Sequence, residues 1–174
     1  MINKKNIAGD IIGREKIIKF IGKNKGKIIE IGPANRPLIE GVITVDFEPK
    51  WKPDYVANQD NLPFEDNSID TIISSHCIEH CMNTRKTLRE WFRVLKEGGK
   101  IAISMPHGED VDWKTLGTSD MTHEQLYTVK TMELYLKHCG FKNIKVETYE
   151  RPYAYKKTRG IFACGEKYEG DRFK

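Results

Sequence analysis

The spacing of apolar positions changes several times along the chain, and each change marks a predicted element. In residues 10–22, Ile11, Arg14, Ile18 and Ile21 lie near one face with Ile17 beside them, which predicts a helix. Asp10 is placed to cap its start, and Gly22-Lys23-Asn24-Lys25-Gly26 breaks it. Short apolar runs follow at 27–31, 42–45, 55–57, 69–73 and 100–105, as expected of parallel strands covered on both faces. A helix is predicted over 84–96, where Leu88, Trp91, Phe92 and Leu95 share a face and Gly98-Gly99 supplies the stop. Another is predicted over 123–139, opened by Thr122-x-x-Gln125 at capping-box spacing, with Val129, Met132, Leu136 and Cys139 on one side. Two late strands, 143–149 and 160–165, complete the pattern.

That order predicts an α/β fold: a doubly wound Rossmann-like sheet, mostly parallel with a late antiparallel strand, and helices on both faces. Residues 1–174 read as a single domain, with 1–26 as an N-terminal helical extension. The segment 106–121 is the longest stretch without a pattern.

Composition narrows the partners. The 29 Lys and Arg against 25 Asp and Glu give a net charge of +4, spread along the chain without the dense basic stripe of a nucleic-acid binder. No apolar run approaches the roughly 18 residues that cross a bilayer, and with no leader-like apolar stretch after the polar start, export is not expected. The expectation is a cytoplasmic protein that needs no membrane. Its four cysteines, Cys77, Cys81, Cys139 and Cys164, form no C-x-x-C pair and read as reduced thiols.

Ligands of open α/β sheets bind outside the carboxyl ends of the strands. The first strand ends Glu30-Ile31-Gly32-Pro33-Ala34-Asn35, where Gly32 permits a sharp turn. A helix after it would aim free N–H groups at a carboxylate or phosphate. The second strand ends in Asp46, a carboxylate able to accept both hydroxyls of a ribose. Together they point to a nucleoside-bearing cofactor. The stretch Gly32-Pro33-Ala34-Asn35-Arg36-Pro37 has one glycine and two residues without N–H donors, which argues against a diphosphate cradle.

Five strings carry a resemblance: Ile28-Ile29-Glu30-Ile31-Gly32-Pro33-Ala34, Val45-Asp46, Leu62-Pro63-Phe64-Glu65-Asp66-Asn67-Ser68-Ile69-Asp70, Ser74-Ser75-His76-Cys77-Ile78-Glu79-His80 and Leu88 through Lys100. In order and spacing this series resembles the class I S-adenosylmethionine-dependent methyltransferases, type 11 group, over roughly residues 27–105. The resemblance implies S-adenosylmethionine as cofactor. It places Glu30 toward the methionine ammonium, Gly32, Pro33 and Ala34 at the cofactor turn, and Asp46 on the ribose. It also places Phe47 against adenine, Asn58 and Gln59 at the adenine edge, and Ser75 and His76 at the methionine end. Ala34 and Arg36 depart from the family's glycines.

The segment 106–121 corresponds to the family's acceptor side, and His107 and His123 flank it as candidate general bases. Asp110, Asp112 and Trp113 lie within it. The implied reaction is O-methylation of a small-molecule or sugar-type hydroxyl. A catalytically silent methyltransferase-like partner protein is the alternative. His76-Cys77-Ile78-Glu79-His80 also spells H-x-x-E-H, a zinc-peptidase motif. It follows a strand instead of sitting within a helix, so the expectation is no metal, with Cys77 and Cys81 as packing thiols. Trp91 and Phe92 are expected in the core, and Lys156, Lys157 and Arg159 on a solvated loop.

Overall fold

The computed structural model describes residues 10–22, 26–110, 123–151, 158–168 and 170. Helix α1 (Ile11–Ile21) is capped by the Asp10 side chain, which accepts from the Gly13 N–H. Strands β1 (Ile28–Ile31), β2 (Ile43–Asp46), β3 (Tyr55–Val56) and β4 (Ile69–Ser75) follow. Then come α2 (Thr84–Val94), β5 (Leu95–Pro106), α3 (Val129–His138), β6 (Phe141–Arg151) and β7 (Thr158–Lys167). They form one seven-stranded sheet in the order β3-β2-β1-β4-β5-β7-β6, parallel except where β7 runs against β5 and β6.

Alternation along the central strands divides the core into two layers. Ile72, Ile101, Ile103, Ile161 and Ala163 face α2 and α3, packing on Leu88, Trp91, Phe92, Met132 and Leu136. Ile73, Ala102, Phe162 and Cys164 face α1, packing on Ile17 and Ile21. This is the period-two rule of a strand with both faces covered. Trp91 and Phe92 are core residues, and the Trp91 indole N–H also donates to the Gln59 carbonyl at 2.8 Å.

Three local expectations are corrected. No helix follows β1 among the described residues: Pro33 and Pro37 withhold N–H donors, and the eleven residues 32–42 make turns instead. The helix predicted to 96 ends at Val94, because Leu95 is already extended and pairs with Ile69. Gly98-Gly99 lies within the irregular start of β5, where the pairing skips from Leu95 to Lys100. The helix predicted from 123 begins at Val129. Its capping box joins Thr128 to Thr131, and the Gln125 side chain reaches the Met82 carbonyl instead. Thr122, Asp112, Trp113, Lys156 and Lys157 lie outside the described residues.

Candidate functional site

The candidate cofactor residues lie at the carboxyl ends of the parallel strands, in two groups. The first surrounds the ends of β1 and β2. Asp46 is buried, and its Oδ2 accepts from the Ala34 N–H at 3.0 Å while Oδ1 accepts from the Glu48 N–H at 3.0 Å. The turn after β1 is thus tied to the end of β2 by one carboxylate. Ala34 holds φ at 51°, a left-handed conformation that the N–H to Asp46 requires and a side chain resists. Phe47, 69% exposed, projects beside this carboxylate, and Asn58 is exposed at the end of β3.

Close approach at Gly32 is real, and the protein itself makes it. A Cβ there would collide with the Cys77 side chain, so the thiol closes over the turn. Burial and the nearby Glu79 and Asp46 charges push that thiol's pKa far up, leaving it protonated and inert as a nucleophile. Gln59 braces it, its amide facing the Cys77 carbonyl and sulfur. Glu30 turns toward α1. Its Oε2 accepts from the Leu38 N–H at 2.7 Å, and burial pushes its pKa up to about 7.

A second group, spread far along the sequence, sits at the ends of β4 and β6 under the start of α1. His76 follows β4 at φ 54°, its Nε2 2.9 Å from Asp10 Oδ2 and its Nδ1 3.3 Å from Glu79 Oε1. The Tyr149 hydroxyl donates to the same Asp10 oxygen, and Arg151 Nε stands 3.7 Å from it. Burial opposes the charged ring, yet the hydrogen bonds to Asp10 and Glu79 prevail and lift its pKa to about 9. Asp10 and Glu79 move the other way, below the usual carboxylate range, because the His76 bonds outweigh their burial. The start of α1 approaches this closely because residue 13 is glycine: a Cβ there would collide with the Tyr149 hydroxyl. Ser75 is joined to Ser104 at 3.0 Å.

Of the two flanking histidines, His107 is buried and forms an isolated parallel bridge with Tyr127. Burial and the Arg159 charge hold its pKa below the ordinary value. Its Nδ1 accepts from the Glu109 N–H at 3.3 Å, which assigns the proton to Nε2 and makes the ring a donor there. His123 stacks obliquely on His80, ring centroids 4.8 Å apart. Asp110 and Arg159 pair at 2.7 Å, tying residue 110 to the start of β7. Sequence reasoning took Asp10 for a cap only and did not single out Tyr149 or Arg151. The one available signal was the two-residue spacing of Tyr149 and Arg151, which puts both on one face of the edge strand β6.

Residues 38–103 match the methyltransferase-domain family. The protein of the Bacillus subtilis YcgJ crystal structure superposes with a TM-score of 0.75 at 16% identity, over 91% of this chain and 99% of that one. The chain has the class I methyltransferase fold. Phosphoethanolamine N-methyltransferase 2 of Haemonchus contortus, solved with phosphomonomethylethanolamine and S-adenosylhomocysteine, shares the fold. Its TM-score is 0.71 at 18% identity, over 90% of this chain and 53% of that one. In sequence, the mitochondrial 2-methoxy-6-polyprenyl-1,4-benzoquinol methylase of Caenorhabditis elegans is 41% identical over 58 residues, 33% of this chain and 20% of that protein. The domain spans less than half the length of the curated relatives that it matches. No described helix is long and apolar enough to cross a membrane.

The nucleoside end of an adenosyl sulfonium would fit this edge. Each Asp46 oxygen takes one backbone N–H and keeps acceptor capacity, and an aromatic face is exposed beside it. The amino-acid end is tighter, with Cys77 over Gly32 and Glu30 engaged by Leu38.

Proposed function

We propose that the chain binds S-adenosylmethionine across the carboxyl ends of β1 and β2 and transfers its methyl group to a small-molecule acceptor. The observation that carries this reading is the Asp46 carboxylate, held rigid by two backbone N–H groups with lone pairs left for two ribose hydroxyls. Phe47 would pack on the adenine ring, and Asn58 and Gln59 lie along the same edge. Gly32, Pro33 and Ala34 form the turn beneath, and Ser75 and His76 border the methionine end. The sulfonium, when bound, supplies an already activated methyl group. The residues of the chain therefore act by position, which can lower a displacement barrier by roughly 7–11 kcal/mol.

The finer reading is transfer to the oxygen of a small or sugar-type hydroxyl. The names of its relatives span a benzoquinol and phosphoethanolamine, which supports a small molecule and leaves the accepting atom open. For a hydroxyl, the proton must leave as the methyl arrives. The Nε2–H of His107 suits orienting the acceptor, so of the two flanking histidines His123 is the better base.

A second reading has its own support. Because Cys77 fills the space over Gly32, the chain would bind the nucleoside and transfer nothing. Calorimetry with S-adenosylmethionine and S-adenosylhomocysteine tests both. Micromolar binding, weakened about 100-fold or more in Asp46→Ala, is expected from the loss of two charge-assisted bonds of roughly 1.5–3 kcal/mol each. Unchanged affinity in that variant overturns the site. Binding of both compounds, with no labelled methyl passed to any of a panel of hydroxyl acceptors, favours the silent reading.

A further inference from the structure

The second half of the H-x-x-E-H string is drawn into a different constellation from the one its spelling suggests. A 3-10 turn at Ile78–His80 takes the place of a helix, so His76 and His80 do not share a helix face. His76 goes to Asp10, and His123 comes to His80. One donor atom from each of Glu79, His80 and His123 lies within 4.8 Å of the other two. The backbone fixes this meeting. The N–H groups of Glu124 and Gln125 both donate to the Glu79 carbonyl, at 2.9 and 3.0 Å, so the residue next to His123 is tied to the residue next to His80.

An independent observation lies in the carboxylate. Glu79 is 2% exposed, its Oε1 stands 3.3 Å from His76 Nδ1, and no hydrogen bond satisfies Oε2 among the described residues. Such an oxygen is costly to bury, on the order of 1–3 kcal/mol or more when charged. A cation on that oxygen would remove the cost. Two imidazoles and one carboxylate are the donor set of open zinc sites and of the facial iron triad, and they select against magnesium and calcium.

We infer that Glu79, His80 and His123 form a site for one divalent transition cation, zinc foremost. Tetrahedral zinc with bonds of about 2.0–2.2 Å sets its donors roughly 3.3–3.6 Å apart. Closing from 4.8 Å needs side-chain rotation of about an ångström, with the backbone already in place. Three protein ligands leave a fourth position for water or an oxygen of a small molecule. The inference rests on none of the residues at β1 and β2, so it stands apart from cofactor binding; a His123 that holds the cation is not the base for the acceptor's proton, so that role and this site exclude each other.

The test uses the full chain without an affinity tag, stripped with chelator, then titrated with Zn²⁺ alone and with Co²⁺ alone. One equivalent should bind at micromolar or tighter dissociation constant, and cobalt should show the intense visible bands of a low-coordinate site. His123→Ala, on a half-buried loop residue that the fold tolerates, should weaken binding at least tenfold, as should Glu79→Gln. His138→Ala, at the far end of α3, should not. No saturable binding overturns the site. So does binding that survives His123→Ala, or that is lost instead in Cys81→Ser.

Discussion

The two ends of the carboxyl edge are built on opposite plans. At β1 and β2, backbone N–H groups hold a single carboxylate, and its partners Ala34 and Glu48 stand twelve and two residues from Asp46. At β4 and β6, side chains hold one another, and His76 and Tyr149 reach Asp10 across 66 and 139 residues. On the proposed reading the first plan separates ligand contact from stability, since Phe47 is 69% exposed. The second fuses them, because its members are buried or half-buried and charged or hydrogen-bonded to a charge.

The hardest test of that contrast is Asp10→Ala. It strands His76, Tyr149 and Arg151 around a buried gap, and removal of one partner from such a network costs about 3–5 kcal/mol. Urea denaturation should show a loss of that size. A loss below about 1 kcal/mol would mean that the cluster is solvated and the contrast false.

Acidity gives the next largest effect, measured with chelator present. The His76 proton is held more tightly in the folded chain, with pKa about 9 against 6.5. Its contribution, on the order of 3 kcal/mol, is complete below pH 6.5 and disappears as pH rises through 9. Glu30 acts in the same sense at lower pH. Its pKa rises from 4.5 to about 7, so burial of its charge costs stability increasingly across that interval. Thermal unfolding should therefore fall from pH 6.5 to 9 in the parent and stay nearly flat there in His76→Gln. A parallel fall in both proteins would reject the assignment.

These two plans also explain what could be read from sequence. The succession of strands and the covering of both their faces followed from apolar runs, since Ile72-Ile73 and Ile101-Ala102-Ile103 can only alternate between faces. Asp46 and Gly32 were legible because a strand end is a local event. The Asp10–His76–Tyr149 contact was not, since no local rule joins a helix cap to a residue 139 positions away. The expected helix after β1 failed because strand-helix alternation was extended across two prolines. The meeting of His80 with His123 was not legible either, because H-x-x-E-H follows a strand and the turn that joins them has no spacing signature.

A smaller effect sharpens the first plan. Phe47→Ala should weaken S-adenosylhomocysteine binding about tenfold, within the roughly 1–3 kcal/mol that base–aromatic stacking supplies. Its melting temperature should not move, because a side chain 69% exposed loses little packing. A substantial drop in melting temperature would show that Phe47 is structural and that ligand contact and stability are fused here too.

The smallest effect isolates the backbone itself. Ala34 pays for φ 51°, a left-handed conformation that costs an L-residue roughly 1–2 kcal/mol, because its N–H is needed by Asp46. Glycine removes that strain but loses more conformational entropy on folding, roughly 0.5–1 kcal/mol. The balance predicts that Ala34→Gly stabilises by about 0.5 kcal/mol, measured by urea denaturation. Because the same N–H remains and the side chain takes no part, S-adenosylhomocysteine affinity should stay within about threefold. If affinity instead rises tenfold, the methyl group of Ala34 obstructs the cofactor turn. The departure from glycine at this position would then be a restraint on binding, and the two ends of the edge would differ in occupancy as well as in construction.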